Sequence, residues 1–301
     1  MKKVNYDQNY VKFEKGQQTI FLKSVKSKSF KSWDKLADFL GVNRSMVFFY
    51  LSEKHKLPYT SVRRLCEKSK TNLNNFVFKI VPYSIYGTAK VPKEVTPDLA
   101  EFVGIMLGDG SINSKSHQVI ISCGEIDGDY IKRYIPKLIQ KLFSKKASFR
   151  KINVGGIDCL FASKEVCEYI TEKMNFHSPK TNVEIPMFFF KDSNLLKACI
   201  RGLFDTDGGL HRHHQKSAQL GFTNKCYPLI VSLKSALGSL DYKPSITVNK
   251  RRRIYTLYLF GNEIKKYFQE IGFSNPKNQI KFKQWISTGV VPANSEIKRL
   301  I

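Results

Sequence analysis

The sequence predicts an α+β protein in which two pseudo-symmetric units of helices and antiparallel strand pairs stand behind a small all-α domain. The first observation is a repeat: FVGIMLGDGSI at 102–112 returns as IRGLFDTDGGL at 200–210, so Asp109 and Asp207 hold one position of a duplicated unit. The echo continues into a shared corner, NFHSPKTN at 175–182 and GFSNPKNQ at 272–279, which matches Lys180 with Lys277. Second, an apolar helical run in each copy gives way to a Gly-rich turn and then to period-two alternation. Third, the apolar residues before residue 95 fall at helical spacing in short runs broken by Gly, Asn and Pro.

Residues 1–85 form the first domain. Trp33, Leu36, Ala37 and Leu40 mark one helix, Gly41 supplies the turn, and Asn43 stands where it can cap a helix beginning at Arg44. Pro58 opens a third helix with Val62, Leu65 and Cys66 on one face. Helix, Gly-containing turn and second helix make a helix-turn-helix, and the segment resembles phage-repressor-type domains of that kind over about forty residues. Arg44, Ser45 and Phe48 on the open side of the second helix are read as DNA-binding, with Lys54, Lys56, Arg63 and Arg64 nearby. Residues 71–95 read as a structured linker, with the link proper at 86–95.

Repeat 1 occupies 96–190 and repeat 2 occupies 191–301. In the first copy a helix runs from Thr96 to Gly108, strands lie near 110–115 and 118–123, and a helix lies near 127–143. Strands near 147–153 and 157–162 and a helix near 164–175 complete the unit, and the second copy follows the same order.

Composition narrows the function. With 42% hydrophobic and 13% aromatic residues the chain can bury cores, which excludes wholesale disorder. Lys and Arg outnumber Asp and Glu by 50 to 25, and a net charge of +25 implies a polyanionic partner. The six cysteines form no CxxC pair and sit in apolar runs, so they read as buried thiols in a reducing compartment. Neither a membrane-spanning run nor the apolar stretch of a signal peptide is visible, which places the expectation in the cytoplasm, on nucleoid DNA.

The chemistry sits at the repeated motifs. Each apolar helix ends in a carboxylate followed by glycine, although a helix C-terminus carries partial negative charge and an acid there costs about 0.3–1 kcal/mol. A helix stop needs only the glycine, so the acid has another purpose. Small residues at four-residue spacing, Gly104 with Gly108 and Gly202 with Thr206, let the two helices pack backbone to backbone and bring Asp109 and Asp207 together. Two adjacent carboxylates repel unless a divalent cation lies between them, and oxygen ligands with open positions suit Mg²⁺.

FVGIMLGDG and IRGLFDTDG resemble the paired signature helices of LAGLIDADG homing endonucleases, in the single-chain, two-repeat form, over about 96–290. The resemblance implies two αββαββα units whose strands form a saddle over the DNA major groove, with the acids beneath the minor groove. It implies a metal set of Asp109, Asp207, Gly108 and Thr206 holding Mg²⁺, with Mn²⁺ as a substitute. It implies catalytic support from Lys180 and Lys277, which polarise water or the scissile phosphate, and from Gln118 and Gln219 near the metal-bound water. The sixth motif position is Leu107 in the first copy and keeps the family's acid, Asp205, in the second.

Ser111 and Asn113 in one copy, with His211 and His213 in the other, alternate with inward Ile112 and Leu210 and are expected to face the groove. Lys250, Arg251, Arg252 and Arg253 form a hairpin tip suited to phosphate. The HRHH tract at 211–214 has no Cys or His partner at finger spacing and reads as DNA-facing strand, not zinc site. The expected activity is Mg²⁺-dependent double-strand DNA cleavage of the intron-homing type, by a core active as a monomer and without a membrane partner. A DNA-binding transcription regulator and an intron RNA maturase are the alternatives on the same fold.

Overall fold

The computed structural model describes residues 9–82, 89–152, 155–214 and 217–297. The chain divides into two compact units, Met1–Thr88 and Ala89–Ile301.

In the larger unit the Thr96 hydroxyl accepts from Leu99 N at 3.3 Å and starts α5 (Pro97–Asp109), the four helices before it belonging to the smaller unit. Then come β4 (Gly110–Asn113), β5 (Gln118–Gly124), α6 (Ile135–Phe143), β6 (Ser148–Ile152), β7 (Gly156–Ala162) and α7 (Lys164–Lys173). Asp192 caps the second copy by accepting from Asn194 N and Leu195 N, and α8 (Ser193–Thr206) follows. It leads into β8 (Gly208–His214), β9 (Ser217–Asn224), α9 (Tyr227–Gly238), β10 (Ser245–Asn249), β11 (Ile254–Phe260) and α10 (Asn262–Glu270). Two further helices, α11 (Pro276–Thr288) and α12 (Asn294–Ile297), close the unit. Each copy is thus αββαββα, as the patterning predicts. The sheets match too, in orders β4-β5-β7-β6 and β8-β9-β11-β10.

Strand alternation sets one face of each sheet against a common core. Val119, Ile121 and Cys123 of β5, Leu220 and Phe222 of β9, and Leu257 and Leu259 of β11 are buried, while their alternates face the other way. The expected helix at 127–143 begins later: Glu125–Asp127 is a 3₁₀ turn and Tyr130–Tyr134 a π turn leading into α6.

The helices α5 and α8 pack backbone to backbone. A methyl on Gly104 would strike the Cys199 carbonyl oxygen, one on Gly202 the Glu101 carbonyl oxygen, and one on Gly108 the Thr206 hydroxyl. Beside this contact Glu101, only 2% exposed, receives Arg201 Nε at 2.9 Å and the Tyr134 hydroxyl at 2.6 Å. Arg201 also donates to the Ile271 carbonyl at 2.9 Å. Both carboxylate oxygens of this buried acid are therefore paired, as a low-dielectric position requires.

The smaller unit corrects the all-α expectation. Its β1 (Asn9–Phe13), β2 (Leu57–Pro58) and β3 (Phe78–Pro82) form a sheet in the order β2-β1-β3. Its helices are α1 (Gln17–Ser29), α2 (Trp33–Leu40), α3 (Arg44–Leu51) and α4 (Tyr59–Ser69). The strands escape a local reading because β1 pairs with residues far along the chain, Tyr10 opposite Val81. The start of α1 is equally non-local. Glu53 accepts from Gly16 N at 2.8 Å and Thr19 N at 3.2 Å, serving as a cap delivered from the turn after α3. Gly41, at φ 69°, ends α2 in the left-handed conformation glycine favours. Asn43 holds the cap position of α3 without a side-chain hydrogen bond.

Of the expected 86–95 linker, 86–88 lie outside the described residues. The rest belongs to the larger unit: Ala89 and Val95 pack on its core and Lys90 N donates to the Phe143 carbonyl at 3.0 Å. No helix among the described residues is long and apolar enough to cross a membrane. The six cysteines are free thiols, all buried except the half-buried Cys66.

Gly202→Ala places a methyl against a backbone carbonyl that cannot swing aside. Urea denaturation of this variant should show a loss of about 1–3 kcal/mol, whereas Gly238→Ala, with open space at its Cβ, should leave stability nearly unchanged.

Candidate active site

The α5–α8 contact ends where the two acids stand. Asp109 is the last residue of α5 and Asp207 the C-cap of α8, so both carboxyls lie at the negative ends of helix dipoles. Burial pushes Asp109 up to about 7, the Asp207 charge adds to the shift, and Lys180 opposes it. Asp207 is raised by burial as well, against the pull of Lys180 and the hydrogen bond from Asn224.

The strands supply each acid's partner. Gly110 lies opposite Ile121 and Gly208 opposite Phe222, so Cys123 and Asn224 hold one register position in the two copies. Asn224 Nδ2 donates to Asp207 Oδ2 at 2.7 Å, and Cys123 Sγ lies 3.5 Å from Asp109 Oδ2. The Thr223 amide donates to the Asp207 carbonyl at 3.2 Å, tying the helix end to β9.

Lys180 Nζ donates to the Gly108 carbonyl, where burial lowers its pKa and Asp207 and Asp109 pull it back up. An open cleft of about 590 Å³ adjoins it, lined by Gly108, Lys180, Thr181, Asp207, Thr223, Asn224 and Lys225 among others. Lys277 takes a different partner: its Nζ lies 2.6 Å from Asp127 Oδ1, with both side chains 12% exposed. One turn along α11, Lys281 is buried with Nζ 3.4 Å from the Leu210 carbonyl, and burial with Lys277 nearby lowers it to about 8.

Gln118 and Gln219 are not brought to the acids. They pair with Asn113 and His211 at the far ends of their hairpins, three residues up the strand, or about 10 Å from the glycines that follow the aspartates. The strand residues that reach the carboxyls are Cys123 and Asn224. The Thr206 hydroxyl donates into its own helix, to Gly202 O at 3.0 Å and Leu203 O at 2.9 Å, and the Gly108 carbonyl already receives Lys180. Asp109 and Asp207 are thus the carboxylates that stand at the adjoining helix ends. Register would have found Asn224: it is the polar residue closing the apolar alternation of β9.

The expected DNA-facing residues are spread over the exposed strand ends. Leu210 is buried and Ile112 packs on the core, leaving His211, His213 and Asn113 exposed and Ser111 half-buried. His213 lies at a register shift and its ring is 5.5 Å from Phe260. The Asn113 carboxamide accepts from Lys115 N and Ser116 N at 3.1 and 3.2 Å, closing its hairpin turn. Lys250–Arg253 form the exposed tip between β10 and β11. In the smaller unit Arg44, Ser45 and Phe48 are exposed on α3, with Arg44 3.4 Å from Asp34 and its guanidinium 5.7 Å from the Phe48 ring centre.

The raised Asp109 pKa makes stability depend on pH. The folded state keeps this proton up to about 7 against an ordinary 3.8, so the stabilisation is complete below about 4 and lost as pH rises through about 7. The metal-free protein should show a higher urea midpoint at pH 5 than at pH 8, and Asp109→Asn should reduce that difference, with the raised Asp205 and Asp207 keeping the remainder. A profile unchanged in the variant would contradict the buried-acid assignment.

Residues 194–272 match the LAGLIDADG-like domain. Among curated proteins the chain is similar to the replication factor C small subunit of Methanocaldococcus jannaschii, at 24% identity over 194 residues, covering 63% of this chain and 10% of that protein. It therefore spans about a tenth of that relative's length. Among solved structures it is similar to I-DmoI in complex with DNA and Mn, with TM-score 0.46 and 18% identity over 59% of this chain and 97% of that one. It is also similar to the N-terminal LAGLIDADG domain of DUF199/WhiA, with TM-score 0.44 and 17% identity over 62% of this chain and 88% of that one. The stretch that matches the LAGLIDADG-like domain lies within the second of the two αββαββα copies.

Proposed function

We propose that the chain is a divalent-metal-dependent endonuclease of the homing type, hydrolysing phosphodiester bonds in both strands of a long, asymmetric DNA site. The observation that carries this reading is the pair of buried acids, Asp109 and Asp207, at adjoining helix ends with Lys180 in the field of both. DNA binding alone would use the cationic faces of the chain and has no need of two acids whose burial disfavours their charge.

The residues fit a hard cation. Two carboxylates raised by burial, in a site open to water and phosphate, suit Mg²⁺ and also Mn²⁺. A bound ion would lower the pKa of water and offset charge on the leaving oxygen. Asn224 aims the Asp207 carboxylate by its hydrogen bond, and Lys180 brings a cation to the edge of the cleft where a scissile phosphate would rest. The net charge of +25 supplies the phosphate contacts that hold a duplex across the exposed strands. We assign residues 1–85 the part of an added DNA-binding module and the rest of the chain the cutting, in a single-chain monomer.

Incubating the protein with a duplex library in Mg²⁺ and sequencing the cut ends tests this directly. Asp109→Asn and Asp207→Asn should each abolish double-strand cleavage and leave affinity within a few-fold, since binding rests on many phosphate contacts. If Asp207→Asn cuts both strands at the wild-type rate, the assignment is wrong. Mg²⁺ should raise the wild-type Tm and leave that of the doubly substituted protein unmoved. On the cleaved site, Arg44→Ala should weaken binding and reduce protection at one end of the footprint, and an unchanged footprint would remove α3 from the interface.

A further inference from the structure

We infer that the two halves of the paired-acid site are chemically unequal, and that Asp127 makes them so as a positioning residue that restrains Lys277. This inference rests on the endonuclease reading. The lysines are equivalent by sequence, each following the proline of a repeated corner, yet their surroundings differ. Lys180 reaches the Gly108 carbonyl and lies in the field of both aspartates, whereas Lys277 is paired with Asp127.

The difference is built into residues unique to each copy. Asp127 ends the 3₁₀ turn after β5, and counting from the matched Cys123 and Asn224, the second copy has Pro228 at that position, in the first turn of α9. No equivalent carboxylate can therefore draw Lys180 aside. A second lock holds the Lys277 corner. Asp205, which stands where the first copy has Leu107, accepts from Ser274 N at 2.6 Å and Asn278 Nδ2 at 3.2 Å. Asn275 Nδ2 then donates to the Asp205 carbonyl at 3.0 Å and to Asp127 Oδ1 at 2.7 Å, while its own Oδ1 receives Lys277 N at 3.0 Å. The extra acid of the second signature helix, the corner and Asp127 thus form one connected network ending on the Lys277 amine. In the first copy the corresponding corner is tied instead by Ile112 N donating to Ser178 Oγ at 2.9 Å.

One strand therefore meets a lysine already at the reacting centre, and the other meets one that must leave Asp127 before it can serve. The test uses the full chain and a duplex it cuts, each strand carrying its own end label, with rapid quenching after Mg²⁺ addition. The wild type should nick one strand at least threefold faster and accumulate the nicked duplex. Asp127→Asn should speed the slower strand alone and shrink that intermediate, and Asp127→Glu should restore the bias. Without metal or DNA, reductive methylation of Lys277, read by peptide mass spectrometry, should rise severalfold in Asp127→Asn while that of Lys180 stays constant. Equal wild-type rates, a slower second strand in Asp127→Asn, or unchanged Lys277 methylation would overturn the inference and leave the endonuclease reading standing. Failure to cut any duplex would sink that reading itself. If Asp127→Asn does not fold, Lys277→Gln decides: slowing of the slower strand alone supports the restraint, and equal slowing of both overturns it.

Discussion

The close approach of α5 and α8 is the constraint on which the larger unit depends. Gly104 and Gly202 each leave room for a carbonyl of the opposite helix, and no side chain could replace either hydrogen without separating the pair. That separation would do more than open a gap in the core. The helix ends carry Asp109 and Asp207, so the distance set by the glycines also sets the distance between the carboxyls. Glu101 and Arg201 add direction to a contact that small residues alone would leave free to slide, because their ion pair joins one helix to the other.

Packing the helices this way creates an electrostatic problem at their ends. Two dipoles of the same sense converge, two acids are buried there, and the burial that holds the helices also withholds water from the carboxyls. Lys180 offsets part of this cost, Asn224 part of the rest, and Asp109 still favours its proton up to about 7. A fold selected for stability alone would place amides or apolar residues here. Under the proposed reading, the acids at the helix ends mark the place where stability is given up for chemistry.

What the sequence shows plainly is what neighbouring residues decide. The duplicated motif, the two αββαββα orders and the small-residue helix faces follow from periods of 3.6 and 2 within short windows, and the structure has them. Cys123 and Asn224 are harder, because only strand register sets them beside the carboxyls. Gln118 and Gln219 look equivalent to one another and are so, but their strands carry them away from the acids. The sheet of the smaller unit and the Glu53 cap of α1 depend on partners tens of residues apart, and no local pattern announces them. Asp127 is hidden for a further reason: a search guided by the repeat finds what the copies share, and this residue belongs to one copy only.

That last point bears on why the chain carries two copies in one polypeptide. In a homodimer each surface residue occurs twice, so a change that improves one half-site alters the other and the recognised DNA is held to symmetry. Here Leu107 stands opposite Asp205, Gly124 opposite Lys225, and SINSKSHQ opposite GLHRHHQK. The equivalent residues at the helix contact, Gly104 and Gly202, are alike because each leaves room for the backbone of the opposite helix, and the equivalent Asp109 and Asp207 stand alike at the two helix ends. Likeness is thus required at the positions where one helix's backbone meets the other, and divergence is permitted elsewhere, even at Leu107 and Asp205 on the helices themselves. Divergence is small at the glycines, moderate at the lysine corners, and large on the exposed strand ends, where under the proposed reading different bases would be met.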